Sequence, residues 1–277
     1  MTEPYAAADG LVRVYPAPEP NGTGLVWAHG GAFVAGDLDM PEADGVARAL
    51  AEGGTTVVSV DYRLAPLPAP WAESMGVAAR DGEHYPAASE DVLAAWAWTV
   101  ANAYRLGVDS SRLGLGGASA GANLAAGATL RLLEAEAHVL PALVVLAYPT
   151  LLAVQPAPDA ALRAALDADP AADRFGPAAV LAMYEAYLGG SVDDAPLPAI
   201  PGLATVDDLA AFPPVVMING EVDELRVSGE HFASTLVAAG REVQVEVEPG
   251  TTHGHLNTPG PAASASLELI AARLAAL

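Results

Sequence analysis

Short apolar runs alternate with longer helical patterns along almost the whole chain, and that alternation restricts the fold more than any other feature. Candidate strands lie at Leu11–Tyr15, Leu25–Ala28, Thr55–Val60, Arg112–Leu115, Ala142–Ala147, Val215–Ile218 and Glu242–Val247. Most are continuous apolar stretches, as suits strands buried on both faces of a parallel sheet. The last one alternates, with Val243, Val245 and Val247 set against polar neighbours, which suits a strand nearer the sheet edge. Between them, Met40–Glu52, Ser89–Leu106, Ala120–Ala135, Pro177–Leu188, Val227–Ala239 and Ala262–Leu277 carry apolar residues three and four apart. Gly53, Gly107, Gly189 and Gly240 fall where helix C-terminal caps are expected. The pattern predicts one α/β domain over residues 1–277, with a mostly parallel central sheet flanked by helices. Two Pro- and Ala-rich stretches interrupt the rhythm, giving inserts at 67–84 and 152–214. Inserts of this length in a compact enzyme serve as lids or pocket walls.

Within that frame, Gly117-Ala118-Ser119-Ala120-Gly121 falls between a strand and a helix. A serine on a sharp strand-to-helix turn projects its oxygen above the carboxyl ends of the strands, and flanking glycines relieve the crowding. The helix N-terminus beside it favours developing negative charge. A second Gly-rich turn, His29-Gly30-Gly31-Ala32, follows the strand Leu25–Ala28. Acyl transfer creates an oxyanion that needs fixed N–H donors about 3 Å away, and such a loop supplies them. The candidate donors are the amides of Gly30, Gly31, Ala32 and Ala120, with Gly31 and Ala32 the preferred loop pair. His29 is expected to shape the loop.

A nucleophilic serine also needs a base and an orienting acid, and in this topology the acid precedes the histidine. The strand Val215–Ile218 leads into Asp223, with Glu221 as the alternative acid. The strand Glu242–Val247 leads into His253, with His255 as the alternative base. Each candidate lies just past the carboxyl end of a strand, where sites on open α/β sheets form.

Composition removes competing chemistries. The chain has no Cys, and all 12 of its basic residues are Arg. Thiolate nucleophiles, disulfides and Cys-ligated metals are therefore excluded, as are Schiff-base lysines and a P-loop lysine. A net charge of −22 disfavours phosphate backbones and anionic lipid surfaces. The N-terminal MTEPYAAADG lacks an apolar stretch, and the longest apolar run, Val139–Val154, is broken by Pro141 and Pro149. The expectation is a cytoplasmic protein with no nucleic-acid partner, no membrane span, no cofactor and no metal.

At these residues the chain resembles the hormone-sensitive-lipase-like branch of the α/β-hydrolases. The matching stretches are HGGAF at 29–33, DYRLAP at 61–66, YPAASEDV at 85–92, GGASAGANLA at 116–125, YLGG at 187–190, and EVDELR followed by THGH. The resemblance implies the α/β-hydrolase fold and carboxylic ester hydrolysis without a cofactor, by a triad that maps to Ser119, Asp223 and His253. Ala118 stands where the family usually has Asp, and Ala32 where it has a third Gly. Typical members carry a longer N-terminal stretch that forms part of a cap. Here the oxyanion loop begins at His29, so a reduced cap is expected, with Leu67–His84 as replacement cover.

The substrate expected for such a site is a small or short-chain acyl ester. Trp71, Met75, Tyr85, Met183, Tyr184 and Tyr187 are candidates to line an apolar pocket. An arylformamidase-like amide hydrolase and a catalytically silent ligand-binding protein are the alternative readings. Glu242–Val247 and the C-terminal helix are the candidate homodimer surfaces.

Overall fold

A computed structural model of the protein describes residues 3–74 and 76–277. The elements run β1 (Tyr5–Ala7), β2 (Val12–Tyr15), β3 (Gly22–Ala28), α1 (Val46–Glu52), β4 (Thr56–Val60), α2 (Ala69–Ser74), α3 (Ala87–Asn102), β5 (Val108–Ala118) and α4 (Ala120–Glu134). They continue with β6 (Leu143–Ala147), α5 (Ala160–Ala168), α6 (Pro177–Leu188), β7 (Val215–Val222), α7 (Arg226–Ala238), β8 (Val243–Thr252) and α8 (Pro261–Ala275). The strands form one 8-stranded sheet in the order β1-β2-β4-β3-β5-β6-β7-β8. β2 runs antiparallel to both β1 and β4, and the other pairs are parallel.

The apolar strand runs work because their side chains alternate between two cores. In β3, Leu25 and Trp27 face one layer and Val26 the other; Val57 and Val58 in β4, and Val145 and Val144 in β6, divide the same way. One layer is closed by Leu50 of α1 and by Ile270 and Leu274 of α8. The other holds Trp96 of α3, Leu124 of α4, Tyr187 of α6 and Phe232 of α7. Each such side chain contributes roughly 1.5–3 kcal/mol by leaving water. β8 lies at the sheet edge, where Val245 stays exposed, in keeping with its alternating sequence.

Several local expectations need correction. β1 and α2 carry too few residues for a periodic signal, and α5 lies within the Pro- and Ala-rich 152–214 stretch; none of the three is among the expected elements, although Leu162 and Leu166 of α5 are buried four residues apart. The single helix expected over Met40–Glu52 is divided into a π-type turn at Pro41–Gly45 and then α1. Gly53 has an ordinary negative φ, and Gly54 takes the left-handed position after α1 instead. The Asp91 carboxylate of α3 ties the loop after β4 to the helix, accepting two N–H groups of the Arg63 guanidinium, from Nε and Nη2 at 2.9 Å. No helix among the described residues is long and apolar enough to cross a membrane.

The strand order reverses between β3 and β5: the chain passes from β3 to β4 on one side, then returns to β5 on the other. The loops after β3 and β5 therefore diverge and leave a crevice at the carboxyl ends of the strands.

Candidate active site

Ser119 occupies the turn between β5 and α4 with φ 52° and ψ −115°. A residue with a side chain resists that conformation by about 1–3 kcal/mol, so the surroundings must impose it. The Ser119 amide donates to the Ala147 carbonyl at 2.8 Å. Two turns of chain also close tightly around it: a Cβ on Gly121 would overlap the carbonyl oxygens of Ala28 and His29. Ser119 is 7% exposed, at the N-terminus of α4.

β7 and β8 deliver the partners. Ser119 Oγ lies 2.9 Å from His253 Nε2, and His253 Nδ1 lies 2.8 Å from Asp223 Oδ2. Asp223 is fully buried, and its other oxygen accepts the Leu225 amide at 2.9 Å. The carboxylate accepts from Nδ1–H, which leaves Nε2 as the acceptor facing the serine hydroxyl. The group can therefore take a proton from Ser119 and hold it on the imidazole. The two alternatives are otherwise engaged. Glu221 is exposed and accepts the Gly250 amide at 2.7 Å. His255 is buried, with Nε2 2.9 Å from Ser266 Oγ, and burial lowers its pKa to about 4.

The loop after β3 carries three successive residues at positive φ, Gly31 (125°), Ala32 (54°) and Phe33 (65°). Val34 and Ala35 amides close it onto the Gly31 carbonyl at 3.1 and 2.9 Å. His29 shapes it as expected: Nδ1 donates to the Gly30 carbonyl at 2.7 Å, and Tyr62 stacks on the ring at 4.4 Å. Burial lowers the His29 pKa and so favours the neutral ring. Gly31 and Ala32 border the same cavity as Ser119 and His253, and Ala120 opens α4 beside the serine. Gly30 departs from its expected role, because its amide donates to Glu42 Oε1 at 2.8 Å and is occupied.

Glu42 was missed. It is 2% exposed, and its Oε2 accepts from Tyr148 at 2.6 Å and from the Asn257 amide at 2.8 Å. One carboxylate thus joins the loop after β3, the residue after β6 and the turn after His253. No sequence pattern marks it, since a Glu within an apparent amphipathic helix reads as a solvent-facing residue. Tyr148 also stands edge-on between the two histidines, 5.0 Å from His253 and 5.2 Å from His255.

A cavity of about 750 Å³ opens over Ser119. Both inserts reach it, through Trp71 of α2 and through Arg174, Phe175 and Met183 of the 152–214 segment. The 67–84 insert is anchored where Leu67 and Arg80 pair, and Arg80 also donates to the Val34 carbonyl at 2.6 Å. Of the expected pocket residues, Met75 lies outside the described residues. Tyr85, Tyr184 and Tyr187 pack behind the wall: Tyr187 stacks on Phe33, Tyr85 meets Tyr187 edge-on, and Tyr184 bonds Asn123. Among the described residues no group of three or more His, Asp or Glu side chains is placed to hold a metal ion.

Comparison with known proteins agrees with this architecture. A family model described as alpha/beta hydrolase fold matches residues 25–80 and 82–257. Carboxylesterase NlhH of Mycobacterium tuberculosis is 39% identical over 260 residues, covering 90% of this chain and 73% of the relative. Ethyl acetate hydrolase of Pseudomonas putida is 32% identical over 253 residues, covering 87% of this chain and 70% of the relative. The crystal structure of the thermophilic carboxylesterase EstE1, cloned from a metagenomic library, superposes with a TM-score of 0.78 at 28% identity, covering 99% of this chain and 87% of that one.

Proposed function

This chain belongs to the alpha/beta-hydrolase family, in its hormone-sensitive-lipase-like branch of carboxylic ester hydrolases, and from that premise we propose that it cleaves small or short-chain acyl esters with Ser119, His253 and Asp223. The observation that carries the reading is the unbroken chain of contacts from Asp223 through His253 to Ser119, at 2.8 and 2.9 Å.

In this mechanism His253 removes the Ser119 proton as Oγ attacks the ester carbonyl. Asp223 orients the imidazole and stabilises its cation. The amides of Gly31, Ala32 and Ala120 receive the oxyanion, each worth roughly 3 kcal/mol by comparison with other oxyanion donors. His253 then passes the proton to the departing alkoxide. Water repeats the attack on the acyl-enzyme and frees the acid and Ser119. His253 must be neutral to accept the Ser119 proton. Residues 1–277 act as one catalytic unit, with 67–84 and 152–214 as walls of the acyl pocket. Trp71, Phe175 and Met183 give that pocket its apolar character.

A fluorophosphonate probe tests the nucleophile: labelling is expected in the full chain and absent in Ser119→Ala. Rates on p-nitrophenyl acetate against N-formyl aryl amines test the bond cleaved. Faster turnover of the formamides would overturn the ester reading.

A further inference from the structure

Among the described residues every arginine except Arg174 donates a side-chain hydrogen bond to a neighbouring side chain or carbonyl. Arg174 instead lies with its guanidinium 5.5 Å from the centroid of the Phe175 ring. The acid next to it in sequence, Asp173, is held by Arg163 at 2.6 Å. Phe175 in turn meets the His253 ring at 4.6 Å, so the cation stands within about 10 Å of the imidazole.

Arg174 borders the cavity above Ser119. The other charged side chain bordering it, apart from His253, is Glu42, which is buried and bonded to Gly30, Tyr148 and Asn257. The carboxylate is thus occupied by its own donors, and the one charged side chain left with hydrogen-bonding edges for an entering substrate is positive. This runs against a chain of net charge −22, in which an unpaired cation has abundant acids to pair with. The aromatic face beneath the guanidinium holds it in place and leaves its N–H edges for a ligand. Those edges match the two oxygens of a carboxylate.

The geometry points to Arg174 as a substrate-binding residue for the free carboxylate of a dicarboxylic acid monoester, with the ester carbonyl over Ser119. This rests on the ester-hydrolase reading above and narrows its substrate class. The reaction itself is unchanged: a Ser119 Oγ–acyl bond forms, the bond to the alcohol oxygen breaks, and His253 returns the proton to that oxygen. Water then releases the dicarboxylate.

The test uses the full chain and 4-nitrophenyl monoesters of glutaric, adipic and pimelic acid, each beside its chain-end carboxamide of equal length. The quantity read is the ratio of kcat/KM for the carboxylate to that for the carboxamide. In the native chain the ratio is expected to exceed one at the length that reaches Arg174, and to shrink between about 0.05 and about 0.5 M salt. Arg174→Gln is expected to lower it about fivefold or more, and Arg174→Lys, which keeps the charge, to lower it less. An unchanged ratio in Arg174→Gln, or a native chain that favours the carboxamide at every length, overturns the proposal. Failure of the ester reading has a different signature, in which neither series is turned over in a Ser119-dependent way.

Discussion

The Phe175 ring meets the His253 ring at 4.6 Å and an interplanar angle of 63°, so a residue of the 152–214 segment forms a direct wall of the proposed catalytic imidazole. An edge-on aromatic contact of this kind is worth about 0.5–1.5 kcal/mol and also keeps water off one side of the ring. Phe175→Ala is expected to lower kcat/KM by about two- to tenfold, with a larger loss for p-nitrophenyl butyrate than for the acetate. An equal loss on both esters would place Phe175 outside the acyl pocket.

Glu42 is the keystone of the loop after β3, and its removal leaves two buried donors, on Gly30 and Tyr148, and the half-buried Asn257 amide without this acceptor. Glu42→Ala is expected to cost about 3 kcal/mol or more in stability, seen as a lower urea midpoint. Glu42→Gln keeps the shape and one acceptor oxygen but turns an amide toward the Tyr148 and Asn257 donors. For that variant the effect is expected mainly on kcat, about tenfold, with KM little changed, because the loop amides proposed to bind the oxyanion would act in the transition state. A rise confined to KM would remove Glu42 from any positioning role.

Asp223→Asn tests the orientation of the imidazole. The amide fits the same buried space but can present N–H to His253 Nδ1, which favours the tautomer with its proton on Nε2. Activity is expected to fall on the order of 10⁴-fold while the thermal midpoint changes little. Retention of more than about a tenth of the native rate would point to another acid.

His255 makes stability depend on pH in a defined direction. Burial lowers its pKa from 6.5 to about 4, so the folded chain binds this proton less readily than the unfolded chain. Its contribution is complete above pH 6.5 and is lost as pH falls from there toward 4, amounting to roughly 3 kcal/mol. His255→Gln retains a polar group toward Ser266 without the titration. Urea midpoints of the native chain and this variant at pH 7 and 4.5 are expected to converge on acidification. A constant gap would show that His255 does not carry the effect.

Much of this was legible from residue order because strands, nucleophile turn and loop glycines are local signals. Ser119 sits on a turn whose glycine pattern is local in sequence, although Gly117 and Gly121 are required partly by the close approach of the end of β3, at Ala28 and His29. Asp223 and His253 could be placed because each follows a strand with its own apolar signature. Glu42 left no trace, since its three partners come from segments far apart in sequence and its turn interrupts a helix pattern without altering the apolar spacing. The expected role of Gly30 as an oxyanion donor failed for the same reason, as its amide is claimed by that unseen carboxylate. The aromatic trio Tyr85, Tyr184 and Tyr187 was drawn toward the pocket by composition alone. Tyr187 stacks on Phe33, and Tyr184 bonds to Asn123 in the core behind it.

The bond between Glu42 and Asn257 joins residues 215 positions apart. During synthesis, the serine turn and the glycine loop emerge well before His253, the proposed base, and before the clasp that seats the loop. With the proposed triad, a nascent chain is thus a disarmed hydrolase until His253 has emerged. Chains released before His253 should pass through the cell inert to fluorophosphonates, however much of the sheet they have built.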